Sequence, residues 1–255
     1  MTILEESAAR PATAPTAAAR LVAATKTYGD GDAAVRALDA VDVAFGRGEF
    51  TAVMGPSGSG KSTMMHCAAG LDRLSSGQAF IGDRELSAMR DRELTLLRRS
   101  EIGFIFQAFN LVPTLSARAN IVLPLAMSGR EARADVLESV VDVLGLGDRL
   151  SHRPGELSGG QQQRVAVARA LVSEPAIVFA DEPTGNLDTS AGSEILEFIR
   201  RAVDERHQTT VMVTHDPVAA AWADRVVFVV DGCVHGELAD PSVGAILDVM
   251  RGIGR

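Results

Sequence analysis

The sequence predicts an α/β protein with a mixed, mostly parallel sheet. Short apolar strands alternate with amphipathic helices along most of the chain, an order typical of parallel sheets covered by helices. A glycine-rich turn at 55–60 lies directly between a predicted strand and a predicted helix, which is the local plan of a phosphate-binding unit. A second apolar strand, residues 177–180, ends on two adjacent carboxylates. Together these observations predict an α/β core built around a phosphate-binding loop.

The individual elements are predicted from changes in hydrophobic periodicity along the chain. Strands are predicted at 21–27, 39–45, 49–54, 102–106, 177–180, 209–214 and 226–230. Helices are predicted at 61–70, 89–99, 131–145, 161–172, 190–206 and 242–251. The block 108–155 has no strong strand pattern, so it is predicted to be a helical insertion.

The chain is predicted to have three segments. Residues 1–20 contain Glu5 and Glu6 and then an Ala/Thr/Pro/Arg mixture, which predicts a flexible tail. This tail lacks the apolar stretch of a signal peptide. Residues 21–240 are predicted to form the folded domain, and residues 241–255 a C-terminal helix or tail.

The composition excludes several classes of protein. Apolar residues make up 46% of the chain and charged residues 23%, as in an ordinary folded protein. The formal net charge of −8 argues against a nucleic-acid partner, because phosphate backbones are bound by clustered Lys and Arg. Cys67 and Cys233 form no CxxC pair, so neither disulfides nor zinc are predicted and a reducing cytosol is expected. No segment approaches the roughly 20 apolar residues of a membrane-spanning helix.

The phosphate-binding loop and the helix start after it match GxxxxGK[ST] in full. The matching residues are Gly55, Pro56, Ser57, Gly58, Ser59, Gly60, Lys61, Ser62 and Thr63. The glycines let backbone N–H groups surround phosphate oxygens, and the helix directs its positive end at them. We expect Lys61 to reach the β- and γ-phosphates and Ser62 to bind Mg²⁺. Lys61 and Lys26 are the only lysines in a chain that otherwise uses arginine, which indicates that a compact ammonium is needed at Lys61.

Two acids follow the apolar strand 177–180. Asp181 is predicted to hold Mg²⁺ through water, and Glu182 to orient or deprotonate the attacking water. Two carboxylates at a strand end can also be a solvated cap. The phosphate-binding loop in the same chain favours the catalytic interpretation.

A pentapeptide between these two motifs indicates the family. It consists of Leu157, Ser158, Gly159, Gly160 and Gln161. With it, the chain resembles the ATP-binding-cassette (ABC) ATPases, whose signature is LSGGQ. The resemblance implies a P-loop NTPase core, an N-terminal antiparallel β subdomain and a helical subdomain at about 108–170. It also implies that residues 158–161 contact the γ-phosphate bound by a second copy, so that ATP and Mg²⁺ lie between the subunits of a head-to-tail homodimer.

The remaining motifs of that family occur in its order. Tyr28 matches the aromatic residue that stacks on adenine, although a core or surface tyrosine is the alternative. Gln107 matches the glutamine that touches Mg²⁺ and senses the transport partner, and residues 185–188 match the loop that crosses the dimer interface. His215 matches the histidine at the γ-phosphate. The resemblance thus implies a catalytic set of Lys61, Gln107, Glu182 and His215; the other histidines, His66, His152, His207 and His235, are expected to be structural.

Within the family, the chain is most similar to the MacB/LolD/FtsE branch. The stretches that carry this similarity are 92–99, 103–107, 109–115, 121–125 and 181–188. The branch implies an integral membrane permease of MacB/FtsX type on a separate chain, and a cytoplasmic ATPase bound through it to the inner face of the membrane. The apolar surface at 108–127 is the expected contact, unless it only packs the helical lobe.

The branch leaves the process open. It implies export or the extrusion of lipoproteins or peptides, with FtsE-like mechanical regulation of the cell envelope as the alternative. A non-transport ATPase of DNA repair or translation is disfavoured, because the chain has one cassette and no long coiled coil.

Overall fold

The computed structural model describes residues 17–253, apart from the side chain of Asp32. Most of the predicted N-terminal tail, residues 1–16, lies outside the described residues. The predicted end of that tail at residue 20 is wrong, because the first strand already begins at Ala17. Residues 17–19 are buried alanines that pair with neighbouring strands, so they belong to the folded domain.

The described part of the chain contains ten strands and eight α-helices. The strands are β1 (Ala17–Tyr28), β2 (Val35–Gly46), β3 (Phe50–Met54), β4 (Ser76–Ile81), β5 (Arg84–Glu85), β6 (Ile102–Phe106), β7 (Ile177–Asp181), β8 (Thr210–Val213), β9 (Arg225–Val230) and β10 (Cys233–Ala239). The helices are α1 (Lys61–Ala68), α2 (Asp91–Glu101), α3 (Ala117–Ala126), α4 (Ala134–Val143), α5 (Gly159–Leu171), α6 (Thr189–Arg206), α7 (Pro217–Ala220) and α8 (Val243–Ile253).

The strands form two sheets. A four-stranded antiparallel sheet has the order β2-β1-β4-β5. A six-stranded sheet has the order β10-β9-β3-β8-β7-β6, and all of its neighbouring strands are parallel except the edge pair β9 and β10. The predicted fold class, a mixed and mostly parallel sheet with a separate antiparallel N-terminal sheet, is confirmed.

The six-stranded sheet is covered on both faces. Alternate side chains of β7 enter two different cores: Ile177 and Phe179 pack with α1, α2 and the antiparallel sheet, whereas Val178 and Ala180 pack with the helices from α3 onward. Because both faces are buried, the central strands are continuous apolar runs. This is why the central strands could be recognised in the sequence.

The block predicted as a helical insertion contains α3 and α4, and α3 packs on α5. Ser116 caps α3 by accepting a hydrogen bond from the N–H of Ala119 at 3.2 Å. Asn120, which is fully buried, holds the preceding loop: it accepts from the N–H of Val112 at 2.7 Å and donates to three carbonyls of residues 112–116. None of the helices between residues 17 and 253 is both long and apolar enough to cross a bilayer.

Candidate active site

Four predicted site segments follow adjacent parallel strands. The phosphate-binding loop follows β3, His215 follows β8, Asp181 and Glu182 end β7, and Gln107 follows β6. These strands are neighbours in the order β3-β8-β7-β6. The carboxyl ends of parallel strands meet at one edge of a sheet, where ligands of open α/β sheets bind. The topology therefore collects these residues at one edge.

The backbone of the phosphate-binding loop passes too close to its neighbours for side chains at two positions. A Cβ atom at Gly55 would lie 1.9 Å from the carbonyl oxygen of Val229, and one at Gly60 would lie 2.2 Å from that of Ala37. Gly60 also has a φ of 99°, a conformation that glycine adopts without penalty. The glycines of the motif are therefore required by the packing of the loop as well as by its turn.

Lys61 places a buried cation over this loop. Its Nζ donates to the carbonyl oxygens of Gly55 at 2.9 Å and Pro56 at 2.7 Å. Burial lowers the pKa of Lys61, while the nearby carboxylates of Glu182 and Asp181 act in the opposite direction. An ammonium at the positive end of α1 is an arrangement suited to phosphate.

Ser62 and Asp181 lie side by side although they are far apart in sequence. The Ser62 hydroxyl donates to the Asp181 carboxylate at 3.3 Å. Burial raises the pKa of Asp181, partly offset by His66 and by the Ser62 hydrogen bond. Hydroxyl and carboxylate oxygens are ligands that Mg²⁺ accepts together with phosphates and water. The donor set next to the phosphate-binding loop therefore fits Mg²⁺.

Gln107, the third predicted metal ligand, has different partners. Its Nε2 donates to Asn186 Oδ1 at 3.2 Å, and the Asn186 amide donates to the Gln107 carbonyl oxygen at 2.9 Å. Between residues 17 and 253, no hydrogen bond joins Gln107 to Ser62 or Asp181. The structure thus ties Gln107 to the loop 185–188 and leaves its role at the metal a prediction.

Glu182 and His215 form a direct contact. His215 Nδ1 lies 2.8 Å from Glu182 Oε1. The Glu182 backbone has a φ of 48°, unusual for a non-glycine residue, and its N–H donates to Val213 at 2.9 Å. Such strained conformations persist where the surroundings hold them, often at functional sites. A carboxylate held by the backbone and contacted by an imidazole can accept a proton from an attacking water.

Tyr28 ends β1 and is a surface residue rather than a core residue. It is 42% exposed, and its hydroxyl donates to Asp72 at 2.7 Å. An exposed, anchored aromatic ring can stack on a planar base. The structure therefore excludes a core role for Tyr28. It does not separate an ordinary surface tyrosine from the stacking role, which is a proposal.

The signature segment lies at the exposed beginning of α5. Ser158 caps the helix by accepting from the N–H of Gln161 at 3.3 Å, and Gln161 Oε1 accepts from the N–H of Ser158 at 3.0 Å. Ser158 and Gly159 are exposed. In the described part of the chain, no hydrogen bond joins residues 157–161 to residues 55–63. The structure therefore does not bring the signature into contact with the phosphate-binding loop of its own chain.

Three residues at the site were not predicted. His66, expected to be structural, has its Nε2 3.9 Å from Asp181; its spacing of four residues from Ser62 on α1 could have placed it on the same face. Gln163 is fully buried and donates to the carbonyl of Pro183, next to Glu182, and to that of Phe106, next to Gln107, at 3.5 Å. Asp72 holds Tyr28. No sequence pattern points to Gln163 or Asp72.

Known proteins resemble this chain over most of its length. Residues 38–185 match the family described as ABC transporter. The macrolide export ATP-binding/permease protein MacB of Chlorobaculum tepidum is 46% identical over 84% of this chain, which spans only 33% of MacB. The uncharacterized ABC transporter ATP-binding protein MJ0796 of Methanocaldococcus jannaschii is 44% identical, covering 84% of this chain and 93% of the relative. The bacitracin export ATP-binding protein BceA of Halalkalibacterium halodurans is 40% identical, covering 84% of this chain and 85% of the relative.

Solved structures give the same result. A dimeric post-hydrolysis state of the ATP-binding cassette MJ0796 bound to ADP and Pi aligns with a TM-score of 0.79 at 39% identity, covering 88% of this chain and 99% of that one. A second dimeric structure of MJ0796 aligns with a TM-score of 0.80 at 40% identity over the same shares. The predicted family, ATPase activity, ATP and Mg²⁺ are confirmed. The chain belongs to the ABC transporter family and is its ATP-binding cassette, an ATPase that binds ATP with Mg²⁺.

Proposed function

We propose that two copies of this chain close head to tail around ATP and that hydrolysis drives a separate membrane permease of MacB/FtsX type in export. The observation that carries the proposal is the exposed beginning of α5, which offers backbone N–H groups, the Ser158 hydroxyl and a helix dipole and, among residues 17–253, makes no hydrogen bond to the phosphate-binding loop. In MJ0796 the cassette is dimeric with ADP and Pi bound. In a head-to-tail dimer, the ATP bound by the second subunit would bring its γ-phosphate to this helix start.

The residues of one site then have separate roles. Lys61 and the loop N–H groups hold the β- and γ-phosphates, while Ser62 and Asp181 hold the metal. Mg²⁺ neutralises charge on the phosphate oxygens when it is bound. Glu182 accepts a proton from the attacking water, and His215 fixes the direction of the Glu182 carboxylate. Ser158 of the second copy closes the site over the γ-phosphate.

A groove beside Gln107 supports a permease contact. It encloses about 410 Å³ between α2, β6, α3 and α5. Its apolar lining residues are Leu71, Ile102, Phe104, Phe106, Leu123, Pro124, Met127 and Ala170. Leu71 is 42% exposed and Met127 55% exposed. Residues 123–127 belong to the surface predicted as the permease contact.

The same groove is basic in a chain whose net charge is negative. Arg98 donates to Gly70, Arg99 to Met127, and Arg169 to Phe109 and Asn110; all of these acceptors are backbone carbonyls. Among the described residues, none of the three arginines forms a salt bridge. An amphipathic segment bearing carboxylates would complement both the apolar lining and the charge. This contact would hold the ATPase at the inner face of the membrane.

Site-specific cross-linking tests the permease contact. In a Cys233→Ser background, which removes the exposed thiol, Met127→Cys would carry a cross-linker into detergent-solubilised membranes of the source organism. We expect a cross-link to an integral membrane protein, identified by mass spectrometry, and its loss when Arg98 and Arg99 are changed to Glu. Glu205→Cys, an exposed position outside the groove, is the matched control.

The outcome would separate the alternatives. A cross-linked permease whose extracellular part binds a cell-wall enzyme would favour the FtsE-like role over export. Equal cross-linking from residues 127 and 205, or cross-links to soluble proteins alone, would contradict the proposed groove contact.

A further inference from the structure

Lys26, the second lysine of the chain, lies next to Tyr28, the residue proposed to stack on adenine. Lys26 and Tyr28 are two residues apart near the end of β1, where the pairing with β2 is irregular, and their side chains are in contact. The Lys26 Nζ lies 4.7 Å from the centre of the Tyr28 ring. This is within the range of a cation–π contact, and it places a positive charge against the ring. Tyr28 nevertheless remains 42% exposed.

Both side chains are held by one carboxylate. Asp72 accepts the Tyr28 hydroxyl on Oδ2 at 2.7 Å and the Lys26 ammonium on Oδ1 at 2.7 Å. The backbone N–H of Arg73 also donates to Oδ1 at 2.8 Å, and Lys26 donates to the Arg73 carbonyl at 2.8 Å. The Tyr28 ring is thus fixed at its hydroxyl end and contacted by the ammonium.

The Lys26–Asp72 part of the cluster is partly shielded from solvent. The Lys26 side chain is 12% exposed and that of Asp72 31%. Burial acts to raise the pKa of Asp72, but the hydrogen bonds from Lys26 and Tyr28 outweigh it and the pKa is lowered. Burial and the bond to Asp72 raise the pKa of Tyr28, so its hydroxyl remains a donor. Charged hydrogen bonds in such surroundings are stronger than exposed ones.

Asp72 is also connected to the phosphate-binding loop, through helix α1. Lys61 is the first residue of α1, and Asp72 lies four residues beyond its last, Ala68. The helix that presents the phosphate-binding loop therefore also leads into the residue that holds Tyr28. Because Asp72 follows α1 and holds Tyr28, the Tyr28 ring has a defined position relative to the phosphate-binding loop.

We infer that Asp72 and Lys26 are positioning residues that orient Tyr28 for stacking on the adenine base, and so contribute to nucleotide affinity without touching the phosphates. This rests on the proposed stacking role of Tyr28. Fixing the ring before binding lowers the conformational entropy lost when the base stacks. The ammonium on one side of the ring favours an aromatic base on the other.

Comparing Mg-ADP with Mg-pyrophosphate by titration calorimetry tests the inference, because only ADP has a base and neither ligand is hydrolysed by the γ-phosphate chemistry. Tyr28→Ala should weaken ADP about tenfold and leave pyrophosphate unchanged. Asp72→Ala and Lys26→Met should each weaken ADP about three- to tenfold and change pyrophosphate less than about twofold. Lys26→Arg should restore most of the loss.

A double variant identifies residues that act through Tyr28. Adding Asp72→Ala to Tyr28→Ala should lower the affinity for ADP no further, because the Tyr28 ring is already absent. Asp91→Ala is the matched control: Asp91 pairs with Arg73 at 2.7 Å and is exposed, but has no contact with Tyr28. It should bind both ligands like the parent.

The possible failures are distinguishable. Normal ADP affinity in Tyr28→Ala would overturn the stacking role and the inference with it. A loss in Tyr28→Ala without one in Asp72→Ala would overturn the inference alone. Equal weakening of ADP and pyrophosphate in Asp72→Ala, or full additivity in the double variant, would show that Asp72 only supports the fold.

Discussion

Two helices of this molecule begin at glycine-containing segments suited to anions, and their surroundings differ. At α1, Lys61 is 8% exposed and bonded to its own loop, with Asp181 joined to Ser62 close by. At α5, Ser158 and Gly159 are exposed, and the hydrogen bonds of Ser158 are made with Gln161 and Gln162 of its own helix start. Both are helix N-termini, but the one at α1 is packed around a buried lysine, whereas the one at α5 is exposed.

This difference supports the proposed division of the catalytic site between two subunits. At the α1 end, one chain brings together Lys61 with Ser62 and Asp181, the proposed metal ligands, and Glu182, the proposed base. We therefore expect a single chain to bind a nucleotide. The α5 end offers the Ser158 hydroxyl and backbone N–H groups as donors, with no hydrogen bond to the phosphate-binding loop among the described residues. The division predicts that lesions at α1 affect binding within the monomer, whereas lesions at α5 affect only events that need two copies.

The largest expected effect comes from Glu182→Gln. This change removes the proposed base for the attacking water but leaves Ser62, Asp181 and Lys61 in place. Hydrolysis should fall about 10²- to 10⁴-fold, while Mg-ATP still binds. The variant should elute as a dimer with ATP in gel filtration with light scattering, and the parent with ADP should be mostly monomeric. Hydrolysis at the parental rate would contradict the role of Glu182.

Ser158→Arg should distinguish the roles of the two helix starts most clearly. A bulky guanidinium at the exposed start of α5 should block closure of the dimer without entering the ATP pocket of its own chain. We expect ATP affinity of the monomer near the parental value and hydrolysis lowered about 10²-fold or more, as when donors at a reacting centre are lost. A monomer that loses ATP binding would show that Ser158 serves its own pocket.

Mixing the variants sharpens this test. A heterodimer of Ser158→Arg and Lys61→Ala subunits holds one site with both lesions and one site with neither. Partial activity should therefore return on mixing. If heterodimers form, as shown by differently tagged subunits, and no activity returns, either both sites must act together or the site is not shared.

The smallest expected effect contrasts the same substitution at the two ends. Gly60→Ala places a methyl group 2.2 Å from the Ala37 carbonyl oxygen at a φ of 99°, so it should cost at least about 1–3 kcal/mol and weaken ATP binding. Gly159→Ala meets its nearest neighbour, Leu187, at 3.8 Å, and should change the stability of the monomer by less than about 0.5 kcal/mol. Thermal melting checks both. Equal destabilisation would remove the contrast between the enclosed and open ends.

The strands that the sequence did not predict share a physical cause. Edge strand β10 and strands β4 and β5 of the antiparallel sheet are only partly buried, and their residues are mixed in polarity. Residues 76–78, for example, are Ser, Gly and Gln and are exposed. These strands are held mainly by backbone pairing, β4 with β1, β5 with β4 and β10 with β9, so their sequences show no clear period-two pattern.

The sequence by itself determined the motifs that consecutive residues form. The phosphate-binding loop is continuous from residue 55 to 63, and its glycines, lysine and hydroxyl act through local backbone geometry. The strand 177–180 and the acids after it, and the capped start of α5 at Ser158, are local in the same sense. The order of these segments was sufficient to indicate the family and the reaction.

Only the tertiary structure decided which distant side chains meet. Asp72 lies 44 residues from Tyr28, Asp181 lies 119 residues from Ser62, and Gln163 reaches the backbone 57 and 20 residues away. Those contacts depend on strand order and register, which arise from the packing of both faces of the six-stranded sheet. Because many residue types can satisfy one such contact, the local sequence carries no pattern for it, and only the fold brings Asp72 to Lys26 and Tyr28.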